Sequence, residues 1–342
     1  MSSDAITNPN PATRDQRQGG PIVSVVIPAY RTAQYISEAL DSVFAQTFKD
    51  YEVIVVNDGC PETPALESAL TPYMDRIIYL KQQNRGPAAA RNTGIKRAKG
   101  TYVAFLDSDD IWSPEYLAEQ IEAFSADPSL DVHYVDARLF GKSPLNEKTH
   151  MQIWPSSGPV TLSSLLSIKV APVNVCTVVR RKALLAVGLF DEHFTRAEDL
   201  HLYARLAHAG YKFGYSNHVL ARVRLREESL TADCIALFKG QLDVYRSLAR
   251  IPGLNPVELE LLDDQLRRAE ADLSLESGKT YLKNGDYAAA SSALTKAQAY
   301  YHSRKLSAVL MALRSAPGLV KYAYGLRDRI WNSARGNKVS TA

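Results

Sequence analysis

Short β-branched apolar runs alternate with amphipathic segments along the first part of the chain. Apolar runs between turn residues predict buried strands, and apolar residues that recur every three or four positions predict helices. The predicted strands are Pro21–Tyr30, Glu52–Val56, Arg76–Leu80 and Thr101–Leu106. The predicted helices are Tyr35–Phe44, Pro61–Met74 and Gly86–Ala98. This alternation predicts an α/β fold with a parallel sheet flanked by helices.

Polar or aromatic side chains follow three of these predicted strands. Tyr30 follows the first strand, Asp58 the second and Asp107 the fourth. In parallel sheets, ligands bind beyond the carboxyl ends of the strands. We therefore expect these three residues to line one crevice.

The acidic cluster Asp107–Asp110 closes the fourth predicted strand. Its three carboxylates repel one another unless a cation is present. Carboxylate oxygens suit Mg²⁺ or Mn²⁺, which bind one or two carboxylates together with substrate phosphates. Alternation along an extended segment would point Asp107 and Asp109 to the same side, one toward a ribose and the other toward a metal. The alternative is an acidic cap for a helix that begins near Ser113–Pro114.

Asp58 stands before a glycine, so a simple Asx turn explains it when it is considered alone. Beside Arg91 and Asp107 in one crevice, it is better explained by nucleotide binding. A carboxylate can accept the N–H of a base such as uracil, and Arg91 can donate to a carbonyl or a phosphate. Pro28 would contribute a backbone edge, and Tyr30 a ring that stacks on the base.

A second acidic pair, Glu198–Asp199, begins a predicted helix that runs to about Ala209. The helix dipole favours carboxylates in a first turn, which is a sufficient structural explanation. The same field keeps a carboxylate ionised, as a general base requires. Local chemistry leaves both explanations open.

The later part of the chain changes character. Asp131–Asp136 predicts another strand, and the polar, proline-interrupted segment Ser143–Pro159 predicts a loop. From about residue 255 the pattern is helical, and Gly278 and Leu294 belong to one tetratricopeptide-like hairpin. Because a solenoid needs roughly three such units, we expect a helical appendage packed on the catalytic domain.

Composition excludes several classes of protein. The hydrophobic share of 46% and the charged share of 23% are ordinary for a globular protein, and a net charge of +3 gives no global field for nucleic acid. The three cysteines lack metal-ligand spacing and indicate a reducing compartment. Residues 1–20 are polar and predict a disordered leader without a secretory signal. We expect a cytoplasmic protein that at most lies against the inner face of a membrane.

The tail is the segment that could make such a contact. Leu306–Ile330 carries Arg314, Lys321, Arg327 and Arg329 among apolar residues. It predicts either a helix on an anionic membrane surface or an ordinary amphipathic helix with a solvated basic face, and the pattern favours neither.

Motifs of other nucleotide-binding enzymes do not occur. There is no GxGxxG and no GxxxxGK[ST], so dinucleotide and P-loop sites lack their phosphate cradles. A nucleotidyltransferase uses similar acidic metal sites, but Arg31-Thr32-Ala33 is not the glycine- and lysine-rich loop that such an enzyme carries after its first strand.

Five segments in order resemble the inverting family 2 glycosyltransferases of the GT-A fold, which is a Rossmann-like fold of nucleotide-diphospho-sugar transferases. They are VSVVIPAY at 23–30, VIVVNDG at 53–59, NRGPAAARNTGI at 84–95, FLDSDD at 105–110 and VGLFDEHFTRAEDLHLYARLAHAGYKF at 187–213. Asn57 and Cys60-Pro61 depart from the common family pattern. The absence of QxxRW argues against a processive synthase of the cellulose type.

The resemblance implies a GT-A domain over residues 21–235 and a helical C-terminal region over 236–342. It implies a hexosyltransferase-type enzyme that uses Mn²⁺ or Mg²⁺. Such an enzyme moves a sugar from a nucleotide-diphosphate donor, most simply a UDP-sugar, to a glycan or lipid-linked acceptor hydroxyl with inversion. The expected setting is glycan or polysaccharide biosynthesis. The alternative is a non-catalytic nucleotide-sugar- or glycan-binding protein on the same fold.

The resemblance also implies residue roles. Around the base and ribose it places Pro28, Tyr30, Asp58 and Arg91. Asp107 and Asp109 form the DxD-type pair, in which Asp109 is the main metal ligand and Asp107 faces the ribose. Glu198–Asp199 supplies the catalytic base, for which we favour Asp199. Arg224 or Arg226 in the segment VRLREESLT at 223–231 would contact the diphosphate, and we favour Arg226.

Overall fold

The computed structural model describes residues 20–141, 143, 145–226 and 233–323. The chain divides into two compact units, Met1–Arg226 and Glu227–Ala342. The predicted leader, except for Gly20, lies outside the described residues, as do Arg327, Arg329 and the end of the segment at 223–231. The proposed domain limits at 21–235 and 236–342 stay predictions.

The first unit contains an eight-stranded sheet in the order β3-β2-β1-β4-β7-β6-β8-β5. The strands are β1 (Val23–Ala29), β2 (Tyr51–Asp58), β3 (Ile78–Gln82), β4 (Tyr102–Phe105), β5 (Ile111–Trp112), β6 (Val132–Gly141), β7 (Thr177–Arg180) and β8 (Phe213–Leu225). The helices of this unit are α1 (Ile36–Phe44), α2 (Thr63–Leu70), α3 (Pro87–Arg97), α4 (Tyr116–Ala126), α5 (His150–Ile153), α6 (Leu162–Leu166), α7 (Arg181–Ala186) and α8 (Glu198–His208). Short 3-10 turns at Thr71–Tyr73 and Asn174–Cys176 complete it.

The parallel sheet predicted from the first four strands is confirmed for β1 to β4. β1 pairs in parallel with both β2 and β4, and β2 pairs in parallel with β3. The sheet as a whole is mixed, because β7 lies antiparallel to β4 and β6, and β5 lies antiparallel to β8. Hydrophobic periodicity predicts that a strand exists but does not fix its direction. The parallel register brings the carboxyl ends of β2, β1 and β4 to one edge.

Two apolar clusters cover the two faces of this sheet. Alternate residues of a strand point to opposite faces, so Val25 belongs to one cluster and Val26 to the other. The first cluster includes Leu40 of α1, and the second includes Ile95 of α3. A methyl group added at Gly94 of α3 would collide with Val26, so glycine allows this helix to approach the sheet closely.

Two local predictions are corrected. The acidic segment after β4 is a turn rather than an extended chain, because the amide of Asp110 donates to the carbonyl of Asp107 over 3.0 Å. The segment predicted as the loop Ser143–Pro159 contains the short helix α5. A capping box in which the Thr149 and Gln152 side chains bond each other's backbone amides stabilises the start of this helix.

The second unit is helical in its described part. Its helices are α9 (Cys234–Leu248), α10 (Pro256–Asn284), α11 (Tyr287–Tyr301) and α12 (Arg304–Ser315), and residues 317–323 are also helical. The predicted hairpin joins α10 to α11 at Gly285, whose φ of 84° is the left-handed conformation that glycine adopts readily. Gly278 leaves room for Leu294 between the two helices. Across the described ranges, no helix has both the length and the hydropathy needed to span a bilayer.

Candidate active site

Asp58, at the end of β2, holds the entry to helix α3. Its buried carboxylate accepts the backbone N–H groups of Arg85, over 3.0 Å, and of Gly86, over 2.8 Å. It also accepts the Gln82 side-chain amide over 2.8 Å. Asp58 does not form the Asx turn considered for it, and the turn that follows is held by Asn57, whose Oδ1 accepts the Cys60 amide over 2.8 Å. Asp58 therefore fixes the loop that leads into α3.

Arg91 lies one helical turn into α3 and joins two parts of the site. Its Nη2 donates to Asp107 Oδ1, and its Nη1 donates to Glu198 Oε1, each over 2.6 Å. Burial opposes the charge on this guanidinium, but the carboxylates of Asp107 and Glu198 outweigh burial and raise its pKa. Both terminal amino groups of Arg91 are thus engaged by carboxylates, and they connect the end of β4 to the start of α8.

The three carboxylates of the acidic turn contact different partners. Asp107 is partly exposed and contacts Arg91, whereas Asp110 is buried and its Oδ1 accepts the backbone N–H of Arg224 over 2.7 Å. Asp110, for which the sequence predicts no role, therefore anchors the end of β8. The helix-cap alternative is wrong, because α4 begins after Glu115 without a side-chain cap and β5 intervenes.

Asp109 faces the end of β8. Its Oδ2 lies 2.6 Å from Arg226 Nη2. Burial and the neighbouring charge of Asp107 raise the pKa of Asp109, and Arg226 acts in the opposite direction. Among the described residues, no three His, Cys, Asp or Glu side chains are grouped so that they could hold a metal ion by themselves.

Glu198 and Asp199 open α8 but have different surroundings. Glu198 is buried against Arg91. In the described chain, the only hydrogen bond to the Asp199 carboxylate comes from the backbone N–H of Leu200, over 2.8 Å. Burial, and then the charge of Glu198, raise the pKa of Asp199 to about 7. The helix begins after Ala197, whose φ of 56° is a left-handed conformation that costs energy for a residue with a Cβ.

The comparisons with known proteins fit this geometry. Residues 24–188 match the model of the family described as glycosyl transferase family 2. The putative teichuronic acid biosynthesis glycosyltransferase TuaG of Bacillus subtilis is 30% identical over 238 residues, which are 68% of this chain and 90% of that protein. This chain belongs to glycosyl transferase family 2. It is a glycosyltransferase, and the family resemblance found in its sequence is confirmed.

Solved structures confirm the fold class of this family 2 glycosyltransferase. The crystal structure of S. aureus TarS 1-349 in complex with UDP-GlcNAc has a TM-score of 0.59 and 18% identity, covering 90% of this chain and 91% of that chain. Mannosyltransferase PcManGT from Pyrobaculum calidifontis, in complex with GDP-Man and Mn²⁺, has a TM-score of 0.58 and 22% identity, covering 98% and 88%. The chain is therefore a mixed α/β GT-A domain with a C-terminal helical appendage.

The other predicted residues of this glycosyltransferase lie at the same edge of the sheet. Tyr30 follows β1 and is 39% exposed, so its ring is accessible. Pro28 lies within β1, paired with Val56 of β2. The structure thus places Pro28, Tyr30, Asp58 and Asp107 at neighbouring strand ends. Glu198 is connected to this edge by its ion pair with Arg91.

Two residues at this site were not predicted from the sequence. Tyr35, expected only as the start of the predicted helix Tyr35–Phe44, precedes α1. The guanidinium groups of Arg224 and Arg226 lie over its ring, at 4.7 Å and 5.0 Å from the ring centroid. Glu38 pairs with Arg224 over 2.7 Å. The sequence feature that could have pointed to these two residues is a tyrosine and a glutamate three positions apart on a helix. That spacing is too common to indicate a site.

Proposed function

We propose that this enzyme transfers a sugar from a nucleoside-diphosphate donor, most simply a UDP-sugar, to an acceptor hydroxyl with inversion at the anomeric carbon. The observation that carries the proposal is the contrast between Glu198 and Asp199. Arg91 neutralises Glu198, and the carboxylate of Asp199 has no cationic partner in an ion pair among the described residues. Asp199 has a pKa of about 7, which suits a general base at neutral pH.

The donor is proposed to lie along the edge formed by β2, β1 and β4. Tyr30 would stack on the base, Pro28 would face it through the backbone, and Asp107 would bind the ribose. Asp58 would contribute to nucleotide recognition both directly and through the loop that it holds at Arg85 and Gly86. The two structural neighbours are complexes with UDP-GlcNAc and with GDP-Man, which supports a nucleotide sugar as the ligand class.

Arg91 has a different part in this proposal from the one expected. The sequence assigns it to the nucleotide, but its two amino groups bind Asp107 and Glu198. We propose that Arg91 acts on the nucleotide through Asp107, whose orientation it fixes. It also keeps Glu198 in place next to the base.

The acidic turn fits a divalent cation. Burial and the charge of Asp107 destabilise the ionised form of Asp109, and Arg226 offsets this only in part, because the pKa of Asp109 remains raised. Further positive charge at this point would therefore stabilise the carboxylate. Two carboxylates are the usual protein share of an Mg²⁺ or Mn²⁺ site whose other ligands are phosphate oxygens and water. Asp109 would be the main ligand and Asp107 its neighbour. When bound, the cation would neutralise charge that develops on the departing diphosphate.

The residues of the chain then account for the remaining chemistry. The hydroxyl oxygen of the acceptor attacks the anomeric carbon while Asp199 takes its proton. The bond from that carbon to the diphosphate oxygen breaks on the opposite face, and its electron pair leaves with the nucleoside diphosphate. Because this leaving group departs as a stabilised anion, no second carboxylic acid is needed, unlike in glycosidases. Arg226 would donate to the diphosphate from the end of β8.

The similarity to TuaG suggests a biological setting. That relative is named for teichuronic acid biosynthesis, and we propose a role in bacterial glycan or polysaccharide synthesis with a glycan or lipid-linked acceptor. The cytoplasmic location expected from the sequence is likewise retained as a proposal.

A thermal-shift panel tests the donor proposal, because a ligand that binds the native state raises the melting temperature. Purified protein is heated with UDP- and GDP-sugars, each with and without MnCl₂. We expect the largest increase for a UDP-sugar with Mn²⁺, followed by release of UDP when acceptor glycans are added. Binding without turnover for any acceptor would support the non-catalytic alternative, and no shift with any nucleotide sugar would reject both.

A further inference from the structure

The C-terminal helices carry an unusual set of exposed apolar side chains. Among the large apolar residues in the described part of the chain, the three most exposed are Met311 at 71%, Leu319 at 71% and Tyr322 at 67%. Single exposed apolar residues are normal on protein surfaces, but a cluster of them marks a contact site. These three lie within one short segment, residues 311–322.

The opposite side of the segment is packed, so the exposure does not reflect a loose helix. Leu313 is buried with Leu282, Ala290 and Leu294 of the α10–α11 hairpin. Leu306, Val309, Leu310 and Val320 are partly buried against the same cluster. Helical periodicity places Arg304 and Met311 on the side of α12 opposite Leu313, and Arg314 on the adjoining flank. α12 therefore presents one packed face and one free face, and Leu319 and Tyr322 are exposed in the helical residues 317–323 that follow it.

Charge distinguishes this free face from the rest of the unit. Residues 304–323 contain four basic residues, Arg304, Lys305, Arg314 and Lys321, and no acidic residue. Helix α10 carries seven acidic and four basic residues. The two most exposed large apolar residues of α10, Val257 and Leu259, alternate with Glu258 and Glu260. Tyr281, which is 41% exposed, lies between Lys279 and Lys283 near the end of the same helix. Among these helices as described, the segment 304–323 combines four basic residues, no acidic residue and the three most exposed large apolar side chains.

We propose that the face formed by Arg304, Lys305, Met311, Arg314, Leu319 and Tyr322, here called the basic apolar face, binds the surface of a membrane that contains anionic lipids. Basic side chains around a few apolar ones suit an interfacial helix, whose apolar groups enter the headgroup region while its cations meet lipid phosphates. Tyrosine is favoured at that depth because its ring is apolar and its hydroxyl polar. The inference does not depend on the proposed donor chemistry.

Cosedimentation of the full chain with lipid vesicles tests this inference. One set of vesicles is equimolar phosphatidylcholine and phosphatidylglycerol, and the other is phosphatidylcholine alone. We expect binding to the anionic vesicles and much less to the neutral ones. Added NaCl should weaken the binding, because salt screens exposed charges.

Two variants separate the contributions of charge and apolar surface. Each basic residue near an anionic surface is worth roughly a fivefold factor in partitioning. The charge variant Arg304→Gln/Lys305→Gln/Arg314→Gln should therefore bind anionic vesicles about a hundredfold more weakly. Lys321 is left unchanged because its amine lies beside Gly285, at the end of α10. The apolar variant Met311→Ser/Leu319→Ser/Tyr322→Ser should lose the apolar contribution and keep the electrostatic one. Its remaining binding to anionic vesicles should therefore be abolished by high salt.

Val257→Ser/Leu259→Ser is the matched control, since it removes exposed apolar residues flanked by carboxylates. It should bind anionic vesicles like the wild type, and all variants should unfold at the wild-type temperature. Equal binding to neutral and anionic vesicles, no binding to either, or an equal loss in the control would overturn the proposal. A protein that ignores vesicles but dimerises through the basic apolar face, as sedimentation velocity would reveal, would replace the membrane by a second copy of the chain.

Discussion

Nη1 of Arg91 lies 2.6 Å from Oε1 of Glu198, a residue 107 positions further along the chain. This contact makes two adjacent carboxylates chemically different. Glu198 is neutralised by a buried cation, and Asp199 is left with one backbone hydrogen bond among the described residues and a pKa of about 7. Local sequence leaves the role of both residues open, the family resemblance favours Asp199 as the base, and this contrast supports that proposal.

Replacing Asp199 by asparagine should remove sugar transfer while preserving donor binding. The amide keeps the shape of the side chain but cannot accept the proton, and a positioned general base typically contributes about 10² to 10⁴ in rate. Transfer is measured as UDP release with acceptor, and donor affinity by calorimetry. Wild-type turnover in this variant would refute the assignment of the base.

The rate should depend on pH through the same group. Asp199 has to be ionised to act, so kcat/KM should fall as pH decreases through about 7. The profile is measured with saturating metal and subsaturating donor. An acid limb near the pKa of an ordinary aspartate would show that another group controls the reaction.

Asp199→Asn should also stabilise the protein, but only at the higher pH. The pKa of Asp199 is raised from 3.8 to about 7 by folding, so the native state binds the proton more tightly than the unfolded state. The contribution of Asp199 to the free energy of unfolding is therefore most favourable below pH 3.8. It declines as pH rises toward about 7 and stays low above that pH. We expect the melting temperature of the variant to exceed that of the wild type by a few degrees at pH 8, with the difference vanishing near pH 4. A variant that is equally stable at both pH values would contradict the raised pKa.

Arg91→Met should destabilise the fold as well as the site. It leaves the buried carboxylate of Glu198 without its cation, and breaking a buried ion pair from one side typically costs about 3 to 5 kcal/mol. The free energy of unfolding is measured with urea. The double variant Arg91→Met/Glu198→Met should recover much of the loss, because it removes the unpaired charge together with its partner. A double variant no more stable than Arg91→Met would indicate that packing, not charge, explains the effect.

If Mn²⁺ raises the affinity for UDP as proposed, Asp109→Asn should abolish that increase, since the amide is a poor ligand for a hard cation. Calorimetry with UDP, with and without MnCl₂, measures this increase. Asp110→Asn is the matched control from the same turn, because its amide oxygen can still accept the Arg224 N–H. An Asp109→Asn variant that keeps the full effect of Mn²⁺ would assign the metal elsewhere.

The sequence alone determined the strands and helices of the first hundred residues and the polar groups that end the strands. These are local properties: β1 is a β-branched run, and α3 begins where Gly86 and Pro87 interrupt the strand pattern. Because the first four strands are parallel, their ends had to meet at one edge, and the crevice followed. The family resemblance followed from the same local segments.

Only the tertiary structure decided the partners of each charge. Arg91 meets Glu198 and Asp107, Asp109 meets Arg226, and Asp110 meets the amide of Arg224. These pairs join residues far apart in sequence, so no local pattern encodes them. The acidic cluster was predicted as an extended segment with Asp107 and Asp109 on the same side, but it is a turn whose members have different partners. Burial and neighbouring charge set the pKa of a carboxylate, and both are properties of packing rather than of spacing along the chain.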